Sequence, residues 1–354
     1  MNEGQYNFSI GKLVNISMKE KKPYAVTIEL LTACNMECIH CYIPQHDSMG
    51  KMSTEKVKEV LLELKNLGTL EITFTGGEIF LREDLWELIS FSRKLGFNVS
   101  LFTNGTLINE EIANKLAEVY IQYVSLTIFS LKEDINDMIT QRKGSLRKIL
   151  TAIDLLEKYK IKIQIKTPVM EYNKYEYKEI KKFCDERGYT YVINATLFSK
   201  TDKDKSPLNY FINSDDLVNV IADIDEHSKS NGIERDNKAF NGEDIICPSL
   251  SCSLFIDAEG KVYPCISFRY CIGDIYKDSI ESILKNSILK KLQDKKKNTL
   301  TECKNCKYYT YCDRCPGNAY FEDESIDGCS HTAKKIAIAR YIASEGGNND
   351  ENIR

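Results

Sequence analysis

Cys34, Cys38 and Cys41 stand in Cys34-Asn35-Met36-Glu37-Cys38-Ile39-His40-Cys41, a C-x3-C-x2-C triplet directly after a strand pattern. Three thiolates so spaced can hold three irons of a cubane cluster. Fe–S clusters are normally held by four Cys, so the fourth iron would be left open to a small molecule. Zinc is the competing reading, with His40 as a fourth ligand. A His between two of its Cys partners has too short a reach to close the tetrahedron that zinc prefers.

The 13 cysteines are odd in number and clustered: three at 34–41, four at 247–271, five at 303–329, and Cys184 alone. No secretory signal precedes them, so a disulfide framework is excluded and the clusters read as metal ligands. Cys184, in a helical pattern, reads as a small buried hydrophobe. The C-x2-C…C-x2-C run Cys303, Cys306, Cys312, Cys315 would suit a zinc ribbon or an iron cluster. Its inner gap is short for a ribbon, and Cys247, Cys265 and Cys329 would be left over, which favours iron.

The elements that must position these groups alternate. Strand patterns at Tyr24–Leu30, Leu70–Thr75, Phe97–Thr103, Tyr123–Phe129, Ile161–Val169 and Thr190–Thr196 are separated by amphipathic helices at 53–67, 84–95, 109–119, 145–159 and 175–187. In the first helix Val57, Val60, Leu61 and Leu64 repeat at helical spacing, between an N-cap at Ser53 and a Gly68 stop. Consecutive βα units imply a parallel sheet with right-handed crossovers, either open or a barrel, with function at the C-terminal strand ends. The Cys triplet, Thr75-Gly76-Gly77-Glu78 and Thr103-Asn104-Gly105 follow strands one, two and three, and so share one rim.

The whole chain has 354 residues, 42% hydrophobic and 28% charged, with a formal net charge of -4. That describes a globular protein, with no reason to expect nucleic acid as a partner. No apolar run is long enough for a signal peptide or a membrane span, so the chain reads as cytoplasmic. Residues 1–23 form an N-terminal extension, 24–212 the α/β unit, 213–246 a connecting helical segment and 247–343 a cysteine-rich domain. Residues 199–211 read as a solvated loop and 344–354 as a frayed tail. The lysine run 290–297 reads as an exposed helix end, and Phe255–Tyr263 as a β-hairpin turning at Ala258–Gly260.

The triplet, the βα units and Gly76-Gly77-Glu78 together resemble the radical S-adenosylmethionine (SAM) enzymes. The resemblance implies an α/β fold, a partial (β/α)6 TIM-type barrel, with a [4Fe-4S] cluster on Cys34, Cys38 and Cys41. SAM would bind the open iron and be cleaved to a 5′-deoxyadenosyl radical that takes hydrogen from a substrate. Gly76, Gly77 and Glu78 match the motif that holds the methionine amino group, with Ile79 where Pro is frequent. His40 occupies a position usually aromatic. On strand four, Thr127 fits the family's ribose-contacting position better than Ser125, though either is as readily an ordinary strand hydroxyl. Lys166 and Asn173, on and after strand five, and Asn104 stand where contacts to SAM or substrate are common. Alternation with Ile161, Ile163 and Ile165 would by itself put Lys166 on the opposite face.

The C-terminal cysteines resemble the SPASM domain, which implies two auxiliary [4Fe-4S] clusters, three in all. Cys247, Cys265 and Cys315 would hold the nearer one, with Cys252 preferred over Cys271 as fourth ligand, or with an open site for a substrate thiolate. Cys303, Cys306, Cys312 and Cys329 would hold the distal one. Only two residues separate Cys312 from Cys315, where the family usually has three. SPASM members mostly modify ribosomally made peptides, so the resemblance implies a precursor-peptide substrate. The implied reducing partner is a flavodoxin or ferredoxin. Few residues precede strand one, so a separate leader-peptide-binding protein, or recognition on the barrel and C-terminal domain, is expected. The alternatives are a radical SAM enzyme of cofactor or haem biosynthesis, and a non-catalytic Fe–S electron-transfer or zinc-binding protein.

Overall fold

The computed structural model describes residues 10–213, 215–233 and 239–345. Its strands are β1 (Ala25–Glu29), β2 (Glu71–Thr75), β3 (Asn98–Phe102), β4 (Tyr123–Thr127), β5 (Ile163–Pro168), β6 (Thr190–Asn194), β7 (Ser253–Ile256), β8 (Lys261–Tyr263) and β9 (Gly273–Asp274). The main helices of the first two-thirds are α1 (Ile10–Glu20), α2 (Thr54–Leu67), α3 (Leu85–Lys94), α4 (Glu110–Glu118), α5 (Glu133–Thr140), α6 (Ser145–Lys158), α7 (Tyr177–Arg187) and α8 (Asp216–Ser230).

The local signals act as their chemistry requires. Ser53 Oγ accepts the Lys56 N–H at 3.2 Å and caps α2, while Gly68 ends it at φ +88°. Val57, Val60, Leu61 and Leu64 are fully buried on the face between. Along the strands, Val26, Ile28, Ile72, Phe74, Val99, Leu101, Val124, Leu126 and Ile165 belong to one apolar core. The intervening residues pair in register as Thr27, Thr73, Ser100 and Tyr123, and as Phe102, Ser125 and Gln164. Since side chains alternate across a strand, they line the other face, which is polar.

The sheet order is β6-β5-β4-β3-β2-β1-β7-β8-β9. β1 to β6 are parallel throughout, and β7 joins the free edge of β1, also in parallel, with Thr27 opposite Phe255. β7 and β8 form the expected hairpin. Asp257 accepts the Glu259 and Lys261 N–H groups, and Gly260 turns at φ +82°. One sheet therefore runs unbroken from the βα units into the cysteine-rich region.

Four helices of eight residues or more were not read from the sequence: α1, α5, Pro316–Asp323 and the last helix, His331–Glu345. α1 packs on the short turn Ser249–Cys252. Residues 199–211 are only in part the solvated loop expected, with 202–205 exposed. Ser199, Pro207 and Phe211 are buried, and the Thr201 N–H bonds the Tyr42 carbonyl at 2.9 Å. Charged Lys200, Asp202, Lys203 and Asp204 mask this docking in the sequence. The expected frayed tail beyond Glu345 lies outside the described residues.

Across the β1–β7 seam, Arg269 reaches Glu29 at 3.3 Å with both side chains under a tenth exposed. Tyr42 donates its hydroxyl to the same carboxylate at 2.9 Å. The guanidinium lies 4.3 Å from the Phe255 ring centroid and 4.6 Å from that of Tyr42. Breaking a buried pair strands a charge, so Arg269→Met should destabilise the protein by about 3–5 kcal/mol, and Glu29→Met/Arg269→Met should recover most of that. Urea unfolding measures both; wild-type stability in the single variant would show that the pair does not hold the seam.

Candidate iron–sulfur and SAM site

The loop carrying Cys34, Cys38 and Cys41 leaves the C-terminal end of β1 and is fastened at several points. The Ala33 and Cys34 N–H groups bond the Ser48 and His46 carbonyls. A helix leaves its last carbonyls without internal partners, and those of α5 are used here: Glu37 N–H reaches Thr140 at 3.3 Å and Ile39 N–H reaches Ile139 at 3.0 Å. α5, invisible in the sequence reading, is thus one support of the cysteine loop.

The Gly76–Gly77 turn after β2 is the other. Gly77 N–H bonds the Leu31 carbonyl at 3.0 Å and Glu78 N–H bonds Ala33 at 2.9 Å. A Cβ on Gly76 would stand 2.6 Å from the Leu31 carbonyl oxygen, and one on Gly77 would collide with the Thr32 and Ala33 carbonyls. The glycines are required first for backbone-on-backbone packing against the cysteine loop, a reason separate from ligand approach. Glu78 is fully buried, and its carboxylate accepts from Thr103 Oγ1, Asn104 N–H and Phe80 N–H. Burial raises its pKa against those hydrogen bonds. The carboxylate expected to meet SAM thus has partners within the chain, and through them it positions the turn after β3.

That turn brings Asn104 to the triplet. Its amide donates to Asn35 Oδ1 at 2.8 Å and to Cys34 Sγ at 3.7 Å. Burial pushes the Cys34 thiol up, while the Met36 and Asn35 N–H groups and the Asn104 amide pull it down. Cys38 is raised by burial and then by repulsion from Cys41 and Cys34. Cys41 is pushed up to about 11, mainly by burial. The three sulfurs therefore sit within mutual electrostatic reach, and backbone N–H groups of Met36 and Asn35, of Cys38 itself and of Ile43 favour the thiolate at Cys34, Cys38 and Cys41 in turn. Such donors suit thiolates bound to a cluster.

The zinc arrangement is not formed. The His40 ring packs edge-on to Phe129 at 4.9 Å, its Nδ1 is enclosed without a partner, and burial pushes its pKa down to about 4. The imidazole beside the triplet is His46, with Nε2 3.3 Å from Cys41 Sγ. No three His, Cys, Asp or Glu among the described residues could hold a single metal ion.

Two further thiol groups form in the C-terminal region. Cys312 feels Cys303, Cys329 and Cys306, and these four line one cavity of about 70 Å³. Cys265 feels Cys315 and Cys247, and Cys252 feels Cys247. Cys271 is exposed, its thiol turned to the Gly273 carbonyl. The Cys315-Pro316-Gly317 sequence explains the second group. Pro316 opens a helix at a position that needs no N–H. A Cβ on Gly317 would collide with the backbone of Ser267 and Phe268, so the glycine lets this turn press against the Cys265 loop. N–H groups of Gly317 and Asn318 lower the pKa of Cys315, which burial raises. All three sets have the donor chemistry of iron–sulfur ligation.

The remaining candidates divide. Ser125 is buried and donates to Gln164 at 3.0 Å. Thr127 is half-buried on the polar face. Lys166 lies on that face too, within the barrel and not toward solvent. Asn173 is a correction: it is fully buried, holding Met170 N–H and the Phe129 and Pro168 carbonyls, so it braces the ends of β4 and β5. Arg269, which sits under the triplet loop through Glu29 and Tyr42, was missed because its partners are far away in sequence. A cavity of about 1000 Å³ lies between the end of β6, α8 and the last helix, with Cys315 in its wall.

The radical SAM superfamily model matches residues 28–184, and the iron-sulfur cluster-binding domain model, SPASM, matches 247–307. The chain is a radical SAM enzyme with a SPASM domain. That architecture implies iron–sulfur clusters and SAM. The chain is 25% identical over 323 residues to the AdoMet-dependent heme synthase of Methanosarcina barkeri, covering 84% of this chain and 92% of the relative. It is 28% identical over 315 residues to the antilisterial bacteriocin subtilosin biosynthesis protein AlbA of Bacillus subtilis, covering 84% and 66%. The crystal structure of Streptococcus suis SuiB bound to precursor peptide SuiA superposes with a TM-score of 0.69 at 14% identity, covering 94% of this chain and 84% of that one. No helix among the described residues is long and apolar enough to cross a membrane.

Gly77→Ala should destabilise the radical SAM enzyme by about 1–3 kcal/mol through overpacking and lower its iron content after anaerobic reconstitution. Urea unfolding and iron assay check this; wild-type values in both would show that the turn yields freely.

Proposed function

We propose that this enzyme abstracts hydrogen from a ribosomally synthesised peptide and installs a crosslink, an epimerisation or a related modification. In this reading Cys34, Cys38 and Cys41 hold a SAM-binding [4Fe-4S] cluster. Cys247, Cys252, Cys265 and Cys315 hold one auxiliary cluster, and Cys303, Cys306, Cys312 and Cys329 a second. Bound there, the first cluster supplies the electron that cleaves SAM to the 5′-deoxyadenosyl radical.

The chain's own residues prepare that event. Asn104 donates to the Cys34 sulfur, and the Gly76–Gly77 turn and the α5 terminus hold the loop that presents all three thiolates. Glu78 keeps Asn104 in place. Gly76, Gly77, Glu78, Asn104, Ser125, Thr127 and Lys166 are the SAM contacts of this proposal, as the family resemblance implies.

The observation that carries the peptide reading is the cleft with Cys315 in its wall. Its cavity of about 1000 Å³ shares Phe198 and Ser267 with a smaller one, about 100 Å³, that continues to Tyr42 and Arg269. A cleft running between the barrel rim and the auxiliary thiols suits an extended chain of amino acids. The bacteriocin-biosynthesis relative and the peptide-bound SuiB structure support the same class. The second reading, a small-molecule substrate on the way to haem, is favoured by the haem synthase relative.

Two experiments test this. Anaerobically reconstituted protein with SAM and dithionite should form 5′-deoxyadenosine; Cys34→Ala should abolish it and remove about four irons per chain. Unchanged 5′-deoxyadenosine in that variant would sink the cluster assignment. Short peptides encoded beside the gene should then change mass in the presence of SAM. If none does while an iron porphyrin precursor is converted to haem, the second reading replaces the first.

A further inference from the structure

Asp313 and Arg314 are all that separate Cys312 of one auxiliary thiol group from Cys315 of the other. Asp313 pairs with Arg340 at 2.9 Å. Arg314 Nε donates to the Gly328 carbonyl at 3.1 Å, and its Nη2 donates to the Gly328 and Ile326 carbonyls at 2.8 and 2.5 Å. Those bonds fix the guanidinium on the segment that ends at Cys329. They leave Nη1, which is enclosed and has no hydrogen-bond partner among the described residues. The other enclosed polar atoms without partners, on His40, Tyr189, Ser199 and Asn318, belong to neutral side chains.

A guanidinium cannot give up its proton, and an unmade bond from a buried charged group costs more than one from a neutral group. Arg314 lines the cavity of about 70 Å³ whose walls carry Cys303, Cys306, Cys312 and Cys329. The other two charged residues of that cavity, Glu302 and Lys334, are exposed and opposite in sign. The anion that Nη1 can meet there is therefore the thiolate set and what it binds. Burial raises the Cys303 thiol and the Arg314 charge pulls it down, and the same charge reaches Cys315 across the short link.

We propose that Arg314 Nη1 donates to the auxiliary cluster held by Cys303, Cys306, Cys312 and Cys329, and so makes that cluster easier to reduce. This rests on the cluster assignment proposed above. One-electron reduction adds a negative charge, and a cationic donor favours the more negative state. Hydrogen bonds to the sulfurs are one of the protein's levers on that potential. Arg314 is neither a ligand nor a catalytic residue; it sets the potential of the cluster beside it.

An EPR-monitored redox titration tests this on the full chain carrying Cys34→Ala, Cys38→Ala and Cys41→Ala, reconstituted anaerobically and reduced with titanium(III) citrate. That background should hold about eight irons per chain in two clusters, and Cys303→Ser identifies its own cluster by shifting that signal. Arg314→Gln keeps an amide donor for the backbone carbonyls and should retain the eight irons. It should lower the midpoint of the Cys303 cluster by about 59 mV, a tenfold change for one electron, the scale of a lost hydrogen bond to a charged group. Lys334→Met, at an exposed residue, should change the same equilibrium less than about twofold, because solvent and salt screen its charge. A change below about twofold in Arg314→Gln, or an equal change in Lys334→Met, overturns the inference. If Arg314→Gln loses iron, the chain with Arg314 intact decides: grown with guanidino-15N arginine, its reduced Cys303 cluster should show a 15N coupling of hydrogen-bond strength by pulsed EPR. Absence of that coupling overturns the inference. About four irons in the background variant would sink the cluster assignment and this inference together. Eight irons with an unmoved midpoint sinks the role of Arg314 alone.

Discussion

β1 is hydrogen-bonded in parallel on both edges, to β2 on one side and to β7 on the other. Everything chemical hangs from its C-terminal end. The cysteine loop begins there, the Gly76–Gly77 turn from β2 closes on that loop, and the hairpin that precedes Cys265 starts on the strand's other flank. A parallel pair needs a long crossover, and for β1 and β7 that crossover is the whole of the βα unit. The sheet thereby places Thr27 opposite Phe255 although most of the chain lies between them.

The seam this creates is polar and buried, which is expensive unless each group is satisfied. Glu29, Tyr42 and Arg269 satisfy one another, with the guanidinium laid on Phe255. The same triad touches the triplet, because Tyr42 follows Cys41 directly. The cysteine-rich region and the Cys34–Cys41 loop are therefore joined through a buried ion pair.

Much of this was legible in the chain. Six strands and the helices between them follow from periodicity, since a strand buried on one face must alternate and a helix must repeat. The three cysteine groups follow from spacing. Other parts were not legible. α5 is a short helix whose apolar positions, Ile135, Met138 and Ile139, give too brief a repeat to stand out. Residues 199–211 carry lysines and aspartates that look solvated while Ser199, Pro207 and Phe211 bury beneath them. Asn173 looks like a ligand-binding amide at a strand end and is a brace for three backbone groups.

The sequence by itself determined which atoms could bind iron, because thiolate chemistry and short loop spacing are local properties. It also determined the order of strands and helices. Only the tertiary structure decided that Gly76 and Gly77 serve the close approach of two backbones, and that Glu78 faces Thr103 and Asn104. It alone decided that Cys252 lies beside Cys247 while Cys271 turns away, and that Lys166 points into the barrel. Each of these is a relation between residues far apart in the chain. Such relations are set by register and crossover, which no single stretch of sequence contains.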